Sequence, residues 1–256
     1  SRSLKQFESS LKSPNGIILV TGPTGSGKTT TLYAGLNLLN DQTRNILTVE
    51  DPVEYAIDGI SQTQVNTKVG MTFAKGLRAI LRQDPNIIMI GEIRDLETAE
   101  ISIQSSLTGH LVLSTVHTND SISAITRLKD MGVESYLLAS TIKGVLAQRL
   151  VRRLCTKCKE PHSLDTTVST LSKDTKVFKS KGCNSCNQTG YSGRVGLFEL
   201  FLMNNEIKEA INIESTEEKL VKLAFQKSRR LSEAGLELVK KGITSLDEVL
   251  RVTSED

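Results

Sequence analysis

Apolar runs alternate with helix-patterned segments along the first half of the chain. The runs are short and rich in Ile, Leu and Val, and they read GIILVT, NILTVE, NIIMIGE and LVLSTV. Helical patterns begin at Thr29 and at Asp95, and another covers the stretch FAKGLRAILRQ between them. Runs without internal polar alternation are typical of parallel strands that are buried on both faces. The order of elements therefore predicts an α/β fold with helices on both faces of a parallel sheet.

The pattern changes in the second half of the chain. From about Cys155 to Arg194 it dissolves into polar residues and turn formers, and from Asn204 onward it is periodic and helical. We therefore expect an α/β core over residues 1–154 and a small subdomain over 155–190. Residues 191–256 are expected to hold the end of the core and a C-terminal helical subdomain.

Composition and charge exclude only a few functional classes of protein. The chain has 256 residues, of which 24% are charged and 38% hydrophobic, and its net charge of +3 does not argue for a nucleic-acid partner. No apolar run approaches the ~18–20 residues that cross a bilayer, and no leader pattern is present, so the chain is expected to be cytoplasmic. It starts Ser1-Arg2-Ser3 without methionine, which suggests a fragment of something longer.

A glycine-rich segment, TGPTGSGKTT, follows the first apolar run. Its spacing fits the phosphate-binding pattern G-x-x-x-x-G-K-[ST] without a mismatch. Glycines let consecutive N–H groups point at an anionic oxygen, the lysine adds a positive charge, and the threonine offers a hydroxyl to magnesium. The following helix directs its positive end at the phosphates. The predicted nucleotide-binding residues are Gly22, Pro23, Thr24, Gly25, Ser26, Gly27, Lys28, Thr29 and Thr30.

Acidic residues follow two of the apolar runs. Glu92 lies just beyond IIMI, and Gly91 occupies the position where most P-loop enzymes carry a magnesium-binding Asp. Glu92 is then the candidate that polarises the attacking water, while the metal's acidic partner must come from elsewhere. Glu50, Asp51 and Glu54, at the end of LTVEDPVEY, supply a candidate cluster, although they also fit solvated acids in a loop.

Histidines and arginines near these runs are further candidates. His117 follows LVLSTV, where it can contact a phosphate or serve as an ordinary structural histidine, whereas His110 precedes that run and can fix a turn. Arg78, Arg82 and Arg94 lie on either side of the Glu92 run. Ring-shaped NTPases often complete a site with an arginine from the neighbouring subunit. An ion-paired or solvated arginine is an equally good interpretation of each one.

All four cysteines of the chain occur as two CxxC pairs. Cys155 and Cys158 form CTKC, and Cys183 and Cys186 form CNSC after 24 intervening residues. Two such pairs bring four thiolates within reach of one tetrahedral ion, so the spacing predicts structural zinc. Disulfides are disfavoured in a reducing cytosol, and a redox CxxC needs only one pair.

Four motifs in this order resemble those of the secretion ATPases. GPTGSGKTTTLY, ILTVEDPVEY, LRAILRQDPNIIMIGEIRD and TGHLVLSTVHTND look like the Walker A, Asp box, Walker B and His box of that superfamily. They are most similar to the type II secretion system ATPases, the general secretion pathway protein E family. The CxxC pairs and GYSGRVGLFEL also match that group. Type IV pilus assembly ATPases keep the cysteines and are the nearest alternative.

The resemblance implies a P-loop NTPase of the RecA-like fold, working as a hexameric motor. Such a motor hydrolyses ATP with Mg²⁺ at the cytoplasmic face of a Gram-negative inner membrane and drives pseudopilus assembly, in contact with membrane platform proteins. By position, Lys28 and Thr29 would bind phosphate and magnesium, Glu92 would be the catalytic acid, and residues 50–54 with His117 would surround the γ-phosphate.

Family members carry preceding domains that contribute arginines to the nucleotide, so this chain is expected to hydrolyse ATP slowly. Two other functions stay open at this point. A nucleic-acid translocase would need a basic, aromatic-lined track, and a nucleotide-gated scaffold would bind without hydrolysis.

Overall fold

The computed structural model describes residues 2–163, 175–226 and 228–253. Parts of the predicted tetracysteine and helical subdomains, residues 164–174 and 254–256, lie outside the described residues. The chain divides into two compact units. The first contains the described residues up to Ala147 together with Leu200–Ser228, and the second contains Gln148–Glu199 and the residues from Arg229 onward. The boundaries expected from sequence stay a prediction; residue 155 directly follows one long strand, and residue 191 begins another.

Nine strands occur in the described residues, in one seven-stranded and one two-stranded sheet. They are β1 (Gly16–Thr21), β2 (Ile46–Glu50), β3 (Ser61–Gln64), β4 (Ile87–Ile90), β5 (Leu111–Val116), β6 (Ile142–Leu154), β7 (Glu160–His162), β8 (Val177–Lys179) and β9 (Tyr191–Leu202). The larger sheet has the order β3-β2-β4-β5-β1-β6-β9. Within it, the six strands from β3 to β6 in that order all pair in parallel. The four predicted strands are confirmed as β1, β2, β4 and β5.

Ten α-helices connect and flank these strands in the described residues. They are α1 (Arg2–Leu11), α2 (Lys28–Leu39), α3 (Phe73–Ile80), α4 (Leu96–Leu107), α5 (Ser123–Asp130), α6 (Ser135–Thr141), α7 (Asn205–Asn212), α8 (Glu217–Ala224), α9 (Leu231–Lys240) and α10 (Leu246–Thr253). The predicted helices are α2, α3 and α4. Asp95 caps α4 by accepting the N–H of Thr98 at 2.8 Å, which satisfies one of the free amides of the first turn.

The core of the first unit lies on both faces of the larger sheet. Every residue of β1 and of β5 is buried. Alternate side chains of β1 enter different clusters: Ile17 and Leu19 pack with α3, α4 and α5, whereas Ile18 and Val20 pack with α1 and α2. Because side chains alternate across a strand, a strand covered on both faces must be apolar at every position. This explains the continuous apolar runs.

Parallel pairing aligns the carboxyl ends of the central strands. Thr21 pairs with Val116, Ile90 with Ser114, and Val49 with Ile90. The segments that follow β2, β4, β5 and β1 therefore leave the sheet along the same edge, in that spatial order. In open parallel sheets this edge is where ligands bind.

The second unit has a small core of its own. The strands β7 and β8 pair antiparallel, and α9 and α10 pack together and against β8. Val177, Val239 and Val249 form one buried apolar cluster in it, and Val151, Leu154, Leu197 and Leu231 are buried as well. Polar or metal contacts add stability to a unit of this size.

A buried carboxylate supplies part of that stabilisation. Glu248 is only 2% exposed, and its oxygens accept from the Arg152 guanidinium at 2.7 Å, the Arg152 N–H at 2.9 Å and Arg251 at 3.1 Å. The Arg152 guanidinium also stacks on the Tyr191 ring, 4.1 Å from its centre. Burial opposes ionisation of Glu248, but the two arginines outweigh it and lower the pKa of the carboxyl to about 2.

We predict that Glu248→Gln lowers the free energy of unfolding by roughly 2 kcal/mol at neutral pH. The folded-state pKa lies below the ordinary carboxyl value of 4.5, so the contribution is complete above about pH 4.5 and is lost as the pH falls towards 2. Urea unfolding at pH 7 and pH 3 would measure this. The control Glu237→Gln removes weaker, more exposed ion pairs at 3.7 and 3.9 Å. An equal decrease in the free energy of unfolding in the two variants at pH 7 would contradict the prediction.

Candidate functional site

The glycine-rich loop lies between the end of β1 and the start of α2. Gly22, Gly25 and Gly27 have φ values of 146°, 79° and 87°, which favour glycine because a side chain would be strained there. Gly27 also caps α2 in the left-handed conformation. The three glycines thus allow the backbone to curl around the N-terminus of a helix, as a nest for an anion requires.

The lysine of this loop is folded over the loop itself. Lys28 Nζ donates to the carbonyl of Gly22 at 2.8 Å and to that of Pro23 at 3.1 Å. Gly25 is exposed, and a Cβ added there would meet nothing within 4 Å, so the loop is open to the outside. Thr29 is half-buried in the first turn of α2. The loop therefore offers a positive charge and a hydroxyl beside an open, glycine-lined surface.

Glu92 is the most buried acid after β4. Its side chain is 11% exposed and forms an ion pair with Arg94, and the His117 Nε2 atom lies 3.2 Å from its Oε2 atom. The pairing with Glu92 raises the pKa of Arg94. Arg94 and His117 are themselves 62% and 48% exposed. A water-excluded carboxylate next to a half-exposed imidazole is a suitable arrangement for proton transfer at the sheet edge.

The absence of an Asp before Glu92 has a packing reason. A Cβ on Gly91 would lie 3.2 Å from the Phe73 ring and 3.5 Å from the Cα of Glu50. The backbone of Gly91 is also fixed, since its N–H donates to Val49 and its carbonyl accepts from Thr115. A longer side chain at position 91 would have to displace Phe73 of α3, so this position favours glycine.

The acids after β2 have two different environments. Glu50 is 2% exposed, and its carboxylate accepts hydrogen bonds from Tyr33, Thr48 and Gln62. Asp51 and Glu54 are exposed. The sequence presents the three acids as one group and does not point to Tyr33. The only sequence feature that could have indicated its role is a hydroxyl-bearing residue on the otherwise apolar inner face of the helix after the glycine-rich loop.

Two threonines join the glycine-rich loop to the segment that carries His117. The Thr118 N–H donates to the hydroxyl of Thr21 at 3.0 Å, and the two hydroxyls lie 2.6 Å apart. The Thr21 hydroxyl also lies 2.8 Å from the carbonyl of Val116. The ends of β1 and β5 are thus fixed to each other through side chains as well as through the sheet.

The other sequence candidates lie elsewhere or are paired. His110 precedes β5, at the opposite edge of the sheet, where its Nδ1 lies 2.8 Å from the carbonyl of Ser105 and fixes a turn. Arg78 forms an ion pair with Glu97 at 2.8 Å. Arg82 is exposed in a 3₁₀ turn, Leu81–Gln83, that extends α3.

The four cysteines of the second unit form one cluster. All four sulfurs lie within 4.8 Å of one another, and Cys155–Cys183, Cys158–Cys186 and Cys183–Cys186 are 3.9, 3.8 and 3.8 Å apart. A tetrahedral ion with metal–sulfur bonds of ~2.3 Å would separate its ligands by about 3.8 Å. The donor set and its spacing therefore fit a thiophilic metal ion.

Backbone amides prepare one of these thiols for ionisation. The N–H groups of Cys183 and Gly190 each donate to the Cys186 sulfur at 3.2 Å. Burial opposes ionisation, but these amides outweigh it and lower the pKa of the Cys186 thiol to about 6. Amide groups that donate to a thiolate stabilise its charge and orient it for metal binding.

Among the described residues, no helix has both the length and the apolar character that crossing a bilayer requires.

Comparison with known proteins identifies related chains. A family model described as Type II/IV secretion system protein matches residues 1–251. Type II secretion system protein E of Pseudomonas aeruginosa is 55% identical over 260 residues, covering 100% of this chain and 52% of that protein. Type II secretion system ATPase E of Vibrio cholerae is 56% identical, covering 97% of this chain and 50% of that protein.

Solved structures show the same fold. The pilus retraction motor PilT with bound ADP is 28% identical with a TM-score of 0.75, covering 98% of this chain and 64% of that one. The Legionella pneumophila ATPase DotB is 24% identical with a TM-score of 0.73, covering 97% and 62%. The chain spans about half the length of the curated relatives it matches.

Proposed function

This chain belongs to the Type II/IV secretion system protein family, and we propose that it is the catalytic part of a motor that hydrolyses ATP to drive pseudopilus assembly in type II secretion. Two relatives at 55% and 56% identity bear type II secretion names, which supports this over a pilus assembly motor. Membership of this ATPase family supports ATP hydrolysis in general. The export step would also involve parts of the full-length protein.

The glycine-rich loop is the proposed phosphate site. Gly22 to Thr30 would surround the phosphates with backbone N–H groups, and Lys28 would exchange its carbonyl contacts for phosphate oxygens. Thr29 is the proposed magnesium ligand of the loop, and a bound magnesium ion would neutralise charge on the phosphate oxygens. Asp51 and Glu54, exposed after β2, are the proposed acidic groups beside that ion.

Glu92 is the residue on which this proposal mainly rests. The residue as a whole is 8% exposed, and it follows the strand that lies two places from β1 in the sheet. There it would orient a water molecule and accept its proton. His117, 3.2 Å away, would hold the carboxylate in place and contact the terminal phosphate. Arg94 would balance the charge of Glu92 before the nucleotide binds.

We predict that Glu92→Gln lowers kcat about 100-fold or more while nucleotide affinity changes little. The amide has nearly the same shape as the carboxylate but cannot accept a proton. Phosphate release and the binding of a fluorescent ATP analogue would measure the two effects separately.

The matched control for this experiment is Glu97→Gln, which removes an exposed acid paired with Arg78 on the neighbouring helix. It should leave kcat and nucleotide affinity within about twofold of the values for the unchanged chain. Full turnover in the Glu92 variant would refute the role of this carboxylate.

We further propose that the chain works as a homo-oligomer, a hexamer, in which an arginine of a neighbouring copy completes each site. Many ring NTPases neutralise transition-state charge in this way. The proposed location is the cytoplasmic face of a Gram-negative inner membrane, reached through platform proteins of the secretion system and without direct nucleic-acid binding.

The rate of ATP hydrolysis per chain is therefore expected to rise with protein concentration, because an incomplete site turns over slowly. Steady-state rates over a 100-fold concentration range, with light scattering to report assembly, would measure this. A rate per chain that stays constant while light scattering shows at least a doubling of the particle mass would contradict the proposal that neighbouring copies complete each site.

Zinc is the proposed occupant of the tetracysteine cluster. It would hold the two CxxC segments together and stabilise the second unit, whose apolar core is small. The ligands would be Cys155, Cys158, Cys183 and Cys186.

Protein purified without added zinc should contain about one zinc ion per chain by elemental analysis. Cys183→Ser should lose the metal and melt at a lower temperature, because three remaining thiolates close the site poorly. Ser185→Ala, which changes a hydroxyl between two of the cysteines, should keep both metal and stability. Less than about half an equivalent of zinc in the unchanged chain would refute the assignment.

A further inference from the structure

We propose that Tyr33 is a positioning residue for the nucleotide site: with the buried Glu50 it holds the loop of residues 51–57, so that Asp51 and Glu54, and not Glu50, act at the bound nucleotide. This inference rests on the proposed function of the glycine-rich loop. It assigns different roles to acids that the sequence presents as one cluster.

The contact between Tyr33 and Glu50 is fully buried. Tyr33 is 0% exposed and lies on α2, five positions after Lys28, and its hydroxyl hydrogen-bonds to Glu50 Oε2. The other carboxylate oxygen accepts from Thr48 Oγ1 at 2.5 Å and from Gln62 Nε2 at 3.1 Å. Both oxygens of Glu50 are therefore engaged inside the protein, and a direct metal contact would require these bonds to break.

The tyrosine is well suited to act as a permanent donor. Burial and the neighbouring Glu50 carboxylate raise the pKa of Tyr33 to about 12. The hydroxyl therefore keeps its proton at neutral pH. The carboxylate it faces gains a charge-assisted hydrogen bond, which is stronger than a neutral one.

The same hydroxyl reaches the loop that follows β2. Tyr33 accepts the backbone N–H of Glu54 at 3.3 Å, and the Tyr55 ring packs edge-on against the Tyr33 ring at 4.7 Å. Gln62 of β3 accepts the N–H of Ile57 at 2.8 Å and donates to the carbonyl of Tyr55 at 3.2 Å. Side chains of α2 and β3 therefore fix the loop at three backbone positions, in Glu54, Tyr55 and Ile57.

The loop held in this way presents its acids to the outside. Asp51 and Glu54 are exposed, in contrast to Glu50. After the dominant effect of Glu92, the charge of Asp51 also contributes to raising the pKa of Arg94. Asp51 is therefore within electrostatic range of the Glu92 pair.

The arrangement connects the phosphate loop to the acids through one helix. The first turn of α2 carries Lys28, and its second turn carries Tyr33. A fixed distance along the helix therefore relates the lysine to the loop of residues 51–57. If Tyr33 only filled space, phenylalanine would replace it without consequence. A variant that loses only the hydroxyl therefore distinguishes a positioning role from a packing role.

The first test is hydrogen exchange in the nucleotide-free chain. Tyr33→Phe keeps the ring and removes the hydroxyl, and it should accelerate amide exchange in residues 53–57 on the order of tenfold, because the Glu54 N–H loses its acceptor. The matched control is Tyr136→Phe in α6, which removes an exposed hydroxyl that hydrogen-bonds to Glu134. It should leave exchange in residues 53–57 unchanged.

The second test separates binding from turnover. In Tyr33→Phe the affinity for ATP without magnesium should stay within about twofold, kcat should fall about tenfold, and the magnesium concentration for half-maximal rate should rise several-fold. Glu50→Gln should keep at least about a third of the normal kcat, since an amide can still accept from the tyrosine. Asp51→Asn combined with Glu54→Gln should lose about 100-fold.

Two results would overturn the assignment. One is unchanged exchange in residues 53–57 of Tyr33→Phe. The other is a Glu50→Gln variant that is as inactive as the double variant while its loop exchanges normally, which would make Glu50 a direct ligand. If Tyr33→Phe does not fold, Gln62→Ala tests the second anchor at Ile57. A chain without ATPase activity would refute the proposed function, whereas the exchange measurement would still decide the role of Tyr33.

Discussion

Parallel pairing of four central strands is the constraint on which the candidate site depends. Because β2, β4, β5 and β1 run in the same direction and in register, their carboxyl ends meet at one edge. Residues up to 95 positions apart in the chain thus reach one place: the loop from Gly22, the acid Glu92 and the imidazole of His117. Strands buried on both faces cannot shift by one residue without moving their side chains into the wrong cluster, so this alignment is strongly specified.

The buried carboxylates at the edge of the sheet have different partners. Glu92 is paired with Arg94 and lies beside His117, while Glu50 is held by neutral hydroxyl and amide groups. An unpaired buried charge would destabilise the fold, so these partners are a condition for keeping an acid at a dry strand end. The type of partner then separates the roles. An acid beside exposed arginine and histidine side chains can exchange partners with a ligand, whereas an acid enclosed by tyrosine, threonine and glutamine is fixed.

The second unit relies on the same principle with a smaller core. Beside a buried cluster of three valines, the Glu248 network and the four thiols contribute polar and metal-binding contacts to its order. The amide donors to Cys186 belong to a tight backbone turn around the CNSC segment. Metal binding and the folding of such a unit are expected to be linked, because the unfolded chain does not hold four sulfurs within a few ångströms.

The sequence by itself determined the α/β class, the four apolar strands and the glycine-rich loop, since each depends on local spacing or on complete burial. It did not indicate β3, whose residues SQTQ are polar because the strand lies at the sheet edge. Nor did it separate Glu50 from Asp51, which are adjacent in the chain. Only the tertiary structure decided that one carboxylate faces Tyr33 inside and the other faces solvent, because burial depends on which distant elements pack against a residue.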